Sequence, residues 1–201
     1  AGKAARCYAK AGDFVDADVV VKMFRDRNEV DALETYLRRR LDLREAEGAP
    51  DGDPAARQLA AWLLDLNVSR AEAAAGTSVR EDEFIAAGSL QHFIHEHGAR
   101  LDFAHARKTL VSRGRMDDAA HLCEAFGDWD GAVTHWLAVR QDPAEAARVI
   151  GNPRIPPDTR LRHAPALFTL DPKTAVDAFI ADDGLDVTAI ASRVIDPLVV
   201  A

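Results

Sequence analysis

A short turn recurs along the chain, and it restricts the possible fold more than any other feature of the sequence. Gly12-Asp13-Phe14-Val15-Asp16-Ala17 and Gly127-Asp128-Trp129-Asp130-Gly131-Ala132 follow one plan. Looser versions stand at Gly114-Arg115-Met116-Asp117-Asp118-Ala119, Gln141-Asp142-Pro143-Ala144-Glu145-Ala146 and Leu170-Asp171-Pro172-Lys173-Thr174-Ala175. The Gly takes the left-handed conformation that ends one helix. The Asp caps the free N–H groups of the next. A Pro fits the first helical position, where its missing N–H is not needed. The Ala five residues past the Gly position lets two helices approach closely. Only the turns at Gly12 and Gly127 keep Gly, Asp and aromatic together, so the expected array is irregular.

Between the turns, apolar residues recur at helical spacing. Met116, Ala119, Ala120, Cys123 and Phe126 form one stripe, and Ala132, Val133, Trp136 and Leu137 form another. Val30, Leu33, Leu37 and Leu41 mark a longer helix starting near Asn28. Leu59, Trp62, Leu63 and Leu66 mark its partner, opened by Asp53-Pro54. Ser78-Val79-Arg80-Glu81 has capping-box spacing. No stretch alternates with a period of two and is rich in Val, Ile and Thr, so no sheet is expected. Glu47 to Pro54 and Gly151 to Pro157 read as loops between helices rather than domain boundaries. The expected fold is therefore all-α, a solenoid of stacked antiparallel helical hairpins over 1–201 as a single segment. Helix at Ala1 and the apolar run Pro197 to Ala201, where a finished solenoid needs a polar cap, predict a piece of a longer protein.

The side-chain chemistry argues against catalysis. A formal net charge of −8 opposes nucleic-acid binding, which needs a basic footprint. Consecutive Arg38, Arg39 and Arg40 fan around a helix and are expected on a solvated face. Cys7 and Cys123 are too few and too far apart for a disulfide framework or a paired-cysteine zinc site, and read as small core residues. His92, His95, His97 and His105 are the nearest approach to a metal cluster. However, His97 points away from the other two, and His95-Glu96 lacks a second His four residues on, so no metal site is expected. There is no Gly-x-Ser-x-Gly elbow and no phosphate-cradling Gly-rich loop. The 33 acidic residues read as caps and solvated faces. No catalytic residue and no cofactor are expected, and the chain is not expected to be an enzyme. The glycosylation sequon Asn67-Val68-Ser69 lies within a predicted helix and is discounted. Trp62 and Trp136 fall on apolar stripes and are expected in the core. Trp129 follows a cap, where it either folds over its own turn or stands exposed; it is the one candidate interface residue.

Several longer segments carry a resemblance. They are Asp31-Ala32-Leu33-Glu34-Thr35-Tyr36-Leu37-Arg38-Arg39-Arg40-Leu41-Asp42, then Leu59-Ala60-Ala61-Trp62-Leu63-Leu64-Asp65-Leu66. Ser112-Arg113-Gly114-Arg115-Met116-Asp117 follows, then Phe126-Gly127-Asp128-Trp129 through His135-Trp136. Last come His163-Ala164-Pro165-Ala166-Leu167 and Pro172-Lys173-Thr174-Ala175-Val176-Asp177-Ala178-Phe179-Ile180. In order and spacing, over most of the chain, the set resembles the deep-orange family of vacuolar protein-sorting subunits. The resemblance implies part of the clathrin-heavy-chain-like α-solenoid of a class C core subunit. Family members also carry a β-propeller and a RING-type zinc module. Neither is expected here, because strand patterns and paired Cys/His ligands are lacking, and ubiquitin-ligase activity does not carry over.

Such subunits build the HOPS and CORVET tethering complexes on endosomes and the vacuole or lysosome. The implied role is a structural scaffold that supports vesicle docking and SNARE-dependent fusion. Its partners would be other class C subunits, with indirect SNARE association and peripheral attachment rather than membrane insertion. Gln141-Asp142-Pro143, where such repeats usually carry a Gly turn, and the Ala richness depart from the family pattern. Two other readings stay open: another coat or transport solenoid, or a tetratricopeptide-like peptide-binding module. An all-helical enzyme would need a pocket with converging polar groups.

Overall fold

The computed structural model describes residues 1–48, 50, 53–75 and 90–180, and every regular element among them is helical. The chain divides into two compact units, Ala1–Gly114 and Arg115–Ala201.

In the first unit, α1 (Gly2–Lys10) leads through a 3₁₀ turn (Gly12–Phe14) into α2 (Ala17–Asp26), α3 (Val30–Ala46) and α4 (Pro54–Ala75). Helical residues 90–97 (α5), a second 3₁₀ turn (Gly98–Arg100) and α6 (Phe103–Ser112) complete it. The longest apolar stripes build its core. Leu33, Leu37 and Leu41 of α3 are buried with Leu59, Leu63 and Val68 of α4, each contributing about 1.5–3 kcal/mol on burial. An aromatic chain ties three helices together: Tyr8 meets Phe24 edge-on at 6.2 Å, and Phe24 meets Tyr36 at 6.3 Å. Burial pushes the Tyr36 hydroxyl above its ordinary pKa, only partly offset by the nearby Arg40. Asp53 opens α4 as the sequence predicts, accepting from the N–H groups of Ala55 and Ala56 at 3.3 and 3.2 Å.

The second unit contains α7 (Met116–Phe126), α8 (Trp129–Thr134), α9 (Pro143–Ile150), α10 (Pro157–Leu170) and α11 (Pro172–Ile180). A π-helical turn over His135–Arg140 continues α8. The turn plan is most regular here. Asp128, Asp142 and Asp171 each accept backbone N–H bonds from the following helix. Pro143 and Pro172 occupy the first helical positions. Gly114 and Gly127 are left-handed at φ 70° and 75°, and Gln141 takes the same conformation at 53°. Ala119, Ala132, Ala146 and Ala175, the plan's helix-contact alanines, are all buried.

The first turn departs from the plan. Gly12 is left-handed at φ 64°, but the 3₁₀ turn delays the helix, and Asp16 rather than Asp13 caps α2, accepting from Asp18 N–H at 3.0 Å. Phe14 is left 98% exposed, and Ala17 is only half-buried.

Three other expectations are also corrected. Arg40 is 5% exposed rather than solvated, because the third residue of the arginine run turns onto the buried face next to Leu37 and Leu41. Cys7 is exposed while Cys123 is buried; on α1 the inward positions are Ala5 and Ala9, and Cys7 lies between them off that face. Trp62 is half-buried rather than in the core. The capping box at Ser78–Glu81 and the C-terminal run Pro197–Ala201 lie outside the described residues.

Candidate functional site

Trp129 stands at the turn between α7 and α8, where backbone geometry fixes almost every neighbour. Gly127 ends α7 in the left-handed region, with its N–H directed to the carbonyls of Cys123 and Glu124. The Asp128 N–H returns to Cys123 O at 2.8 Å, closing the wide loop of a Schellman motif. The Asp128 carboxylate then accepts from Gly131 N–H at 3.1 Å and caps α8. A Cβ on Gly127 would lie 3.7 Å from Trp129 Nε1, so the half-buried indole folds over its own turn. One residue on, Asp130 accepts from His163 Nε2 at 2.7 Å and from Arg162, both on α10. The His163 hydrogen bond, more than the Arg162 charge, holds the Asp130 carboxyl below its ordinary pKa.

Further ionic contacts join the helices of the second unit. His135 Nε2 meets Asp117 Oδ1 at 2.8 Å, and Arg140 Nε approaches the same oxygen at 3.2 Å. Arg148 on α9 grips both oxygens of Glu124 on α7, at 2.7 and 3.0 Å. Burial pushes the Glu124 carboxyl up, but hydrogen bonds from His121 and Arg148 outweigh it and leave the group below its ordinary value. Asp118 is buried, and burial raises its pKa in spite of the Arg115 Nε bond at 2.6 Å. Trp136, as the sequence predicts, is in the core, flanked by His121 and His135 with ring centroids 5.5 and 5.0 Å away.

The first unit uses arginines in the same way. Arg70 on α4 reaches Asp31 and Glu34 on α3. Arg113, just past α6, bonds to Asp65, Glu72 and Ser69 on α4 at 2.7, 2.9 and 3.2 Å. These contacts fasten helix to helix. Asn67, the sequon asparagine, is buried and donates to Leu63 O at 2.8 Å, which agrees with discounting it as a glycan acceptor.

The histidines of α5 do not come together. His92 is exposed and lies 3.2 Å from Glu96, and His95 is exposed. His97 is half-buried against Phe93 at 5.4 Å and stands 3.7 Å from Glu45. His105 is exposed on α6, its backbone N–H donating to the capping Asp102 at 2.8 Å. Among the described residues, no three His, Cys, Asp or Glu side chains are grouped to hold a metal ion. No helix among them is long and apolar enough to cross a membrane.

A groove missed by the sequence reading lies in the first unit. It has a volume of about 270 Å³ and runs over Arg40 and Arg44 of α3, between the start of α2 and the first turns of α4. The i,i+4 spacing of Arg40 and Arg44, which puts both on one helix face, was the available signal. A second, smaller hollow of about 170 Å³ lies by Asn28 and Asp65.

A helical chain whose seams are held by caps and ionic contacts is matched from residue 2 to residue 128 by the family model described as "VPS18, alpha-solenoid domain, first half". The chain belongs to the VPS18 alpha-solenoid family. That agrees with the resemblance to vacuolar protein-sorting subunits and identifies the fold as an α-solenoid. The match takes in the first unit from residue 2 onward and α7 of the second. Over 190 residues the chain is 23% identical to Vacuolar sorting protein 18 of Arabidopsis thaliana, an alignment that covers 92% of this chain and 19% of that protein. The VPS18-family segment therefore spans about a fifth of the length of the curated relative it matches.

Proposed function

We propose that this VPS18-family segment is a structural scaffold within an endosomal or vacuolar membrane-tethering complex of the HOPS or CORVET kind. On this reading it is one solenoid segment of a longer chain, supports vesicle docking and SNARE-dependent fusion, and has no catalytic role of its own. Its partners are other class C subunits, it associates with SNAREs only indirectly, and it is held peripherally on the membrane. Membership of the VPS18 alpha-solenoid family carries the proposal. The seams agree with it: Arg113 on Asp65 and Glu72, and Arg148 on Glu124, brace helices against each other. That is what a load-carrying element needs and what a reaction centre does not. Trp129, half-exposed over the α7–α8 turn, is proposed as a contact residue for a neighbouring subunit.

Removal of the gene from its own cells should block delivery of cargo to the vacuole or lysosome. The intact gene should restore delivery, and a version lacking residues 1–201 should not. Restoration by the deleted version would overturn the proposal.

A further inference from the structure

Helix α1 carries its charge differently from the rest of the first unit. Ala5 and Ala9 have no exposed surface, the helix packs on α3, and Tyr8 meets Phe24 of α2. On the solvent side stand Lys3, Arg6 and Lys10, all exposed. At 3.6 residues per turn the three fall within about 60° of one another and span about 10 Å along the axis. The helix has no Asp or Glu of its own, and none of the three cations has a carboxylate partner among the described residues. Elsewhere in the unit Arg25, Arg70, Arg100 and Arg113 each meet a carboxylate on another element.

This arrangement works against α1 itself. Lys3 with Arg6 and Arg6 with Lys10 are like charges at i,i+3 and i,i+4, which oppose helix formation. Lys3 also stands in the first turn, where the helix dipole disfavours a cation. No described residue offsets the three charges, so what compensates them comes from outside and is negative. Its carrier must also be narrow. With a formal net charge of −8, these 201 residues are repelled by a flat anionic surface, which would meet their carboxylates together with the strip. A polypeptide segment can meet the strip alone. Ala4 and Cys7, the exposed side chains beside the cations, are small and let its backbone come close.

We propose that α1 docks an acidic segment of a partner protein, whose Asp and Glu side chains pair with Lys3, Arg6 and Lys10. Complementary charge across an interface fixes register and speeds encounter. Single exposed pairs contribute little, so the three cations act as one strip. The proposal rests on the scaffold reading and adds to it a surface and a partner chemistry.

Photo-cross-linking in the protein's own cells tests it, with Cys7→p-benzoylphenylalanine in the full-length chain. Cys7 is exposed beside the strip and carries none of its charge. The cross-linked peptide, mapped by mass spectrometry, should come from a different protein and hold more Asp and Glu than Lys and Arg. Lys3→Gln, Arg6→Gln and Lys10→Gln together should lower the yield at least about tenfold, equivalent to about 1.4 kcal/mol of binding. Lys3→Arg, Arg6→Lys and Lys10→Arg together, which keep all three charges, should preserve it. Lys, Arg and Gln differ little in helix propensity, so α1 persists in both variants. An undiminished yield in the Gln variant would overturn the proposal, as would a cross-linked peptide without net negative charge. Attachment to lipid, to a second copy of this chain or to the chain itself would also overturn it, and so would no product at all. Cargo delivery, scored separately, reports on the scaffold reading alone.

Discussion

Gly131 shows how tightly a single residue can be coupled to its cap. A Cβ at this position would stand 2.5 Å from Asp128 Oδ2, the carboxylate that caps α8. Gly131→Ala should therefore push the cap aside and destabilise the fold by about 1 kcal/mol, the usual value of a lost N-cap. In an Asp128→Ala background the obstruction is gone, and the same substitution should instead stabilise by up to about 1 kcal/mol, because Ala is the better helix former. Urea unfolding of the four proteins measures both effects, and a change of the same sign in both backgrounds would refute the coupling. The second glycine of Gly127-Asp128-Trp129-Asp130-Gly131 has this role, which the sequence plan does not assign to it. Gln141 is the converse case: it takes a left-handed conformation at φ 53° that the plan reserves for Gly.

At the level of elements, the α8 seam is a close helix contact. Ala132 has no exposed surface, so Ala132→Trp should overpack it and cost about 1–3 kcal/mol. A thermal unfolding midpoint unchanged from the parent would rule out a close crossing there. Most of what made the elements legible is local. Asp53, Asp128, Asp142 and Asp171 cap the helices they precede because a cap depends only on the few residues around it. The stripes through Leu33, Leu37 and Leu41 and through Leu59 and Leu63 are buried as their spacing predicts. What could not be read is what depends on neighbours distant in sequence. Arg40 turns inward because α3 is packed on more than one side, with α1, α2 and α4 all against it. The run Arg38-Arg39-Arg40 alone does not distinguish the third arginine, but Leu33 and Leu37, seven and three residues before it, share its helix face. Phe14 is left exposed and Ala17 half-buried with no described helix closing over them, and this too no local pattern records. Only the Arg40 and Arg44 spacing hinted at the groove, while the Trp129 turn was visible in the sequence.

For the molecule as a whole, the charge arrangement predicts a pH response centred on the first unit. Burial, more than any neighbouring charge, holds His97 below its ordinary pKa; Glu45 and Glu96 oppose that effect, and Arg100 and Arg38 add to it. A histidine whose folded-state pKa is depressed binds fewer protons folded than unfolded. Stability is therefore intact above about pH 6.5, the ordinary histidine value, and is lost as pH falls below it. The unfolding midpoint should drop between pH 7.5 and 5.5, and His97→Gln should flatten that drop. An equal drop in the variant would mean that another group carries it.

The π-helical turn at His135–Arg140 bears on the length of the chain itself. Where α2 and α7 end, the closing bond runs back five residues, from Glu29 N–H to Phe24 O and from Asp128 N–H to Cys123 O. After the π turn it runs back six, from Asp142 N–H to Trp136 O. The extra position is taken up inside a helix, and both flanking caps, Asp128 and Asp142, stay in place. An insertion accommodated in this way leaves no trace in a loop. A homologue with an unbroken α-helix here should be one residue shorter between the two capping aspartates, and its gap in an alignment belongs within 135–140.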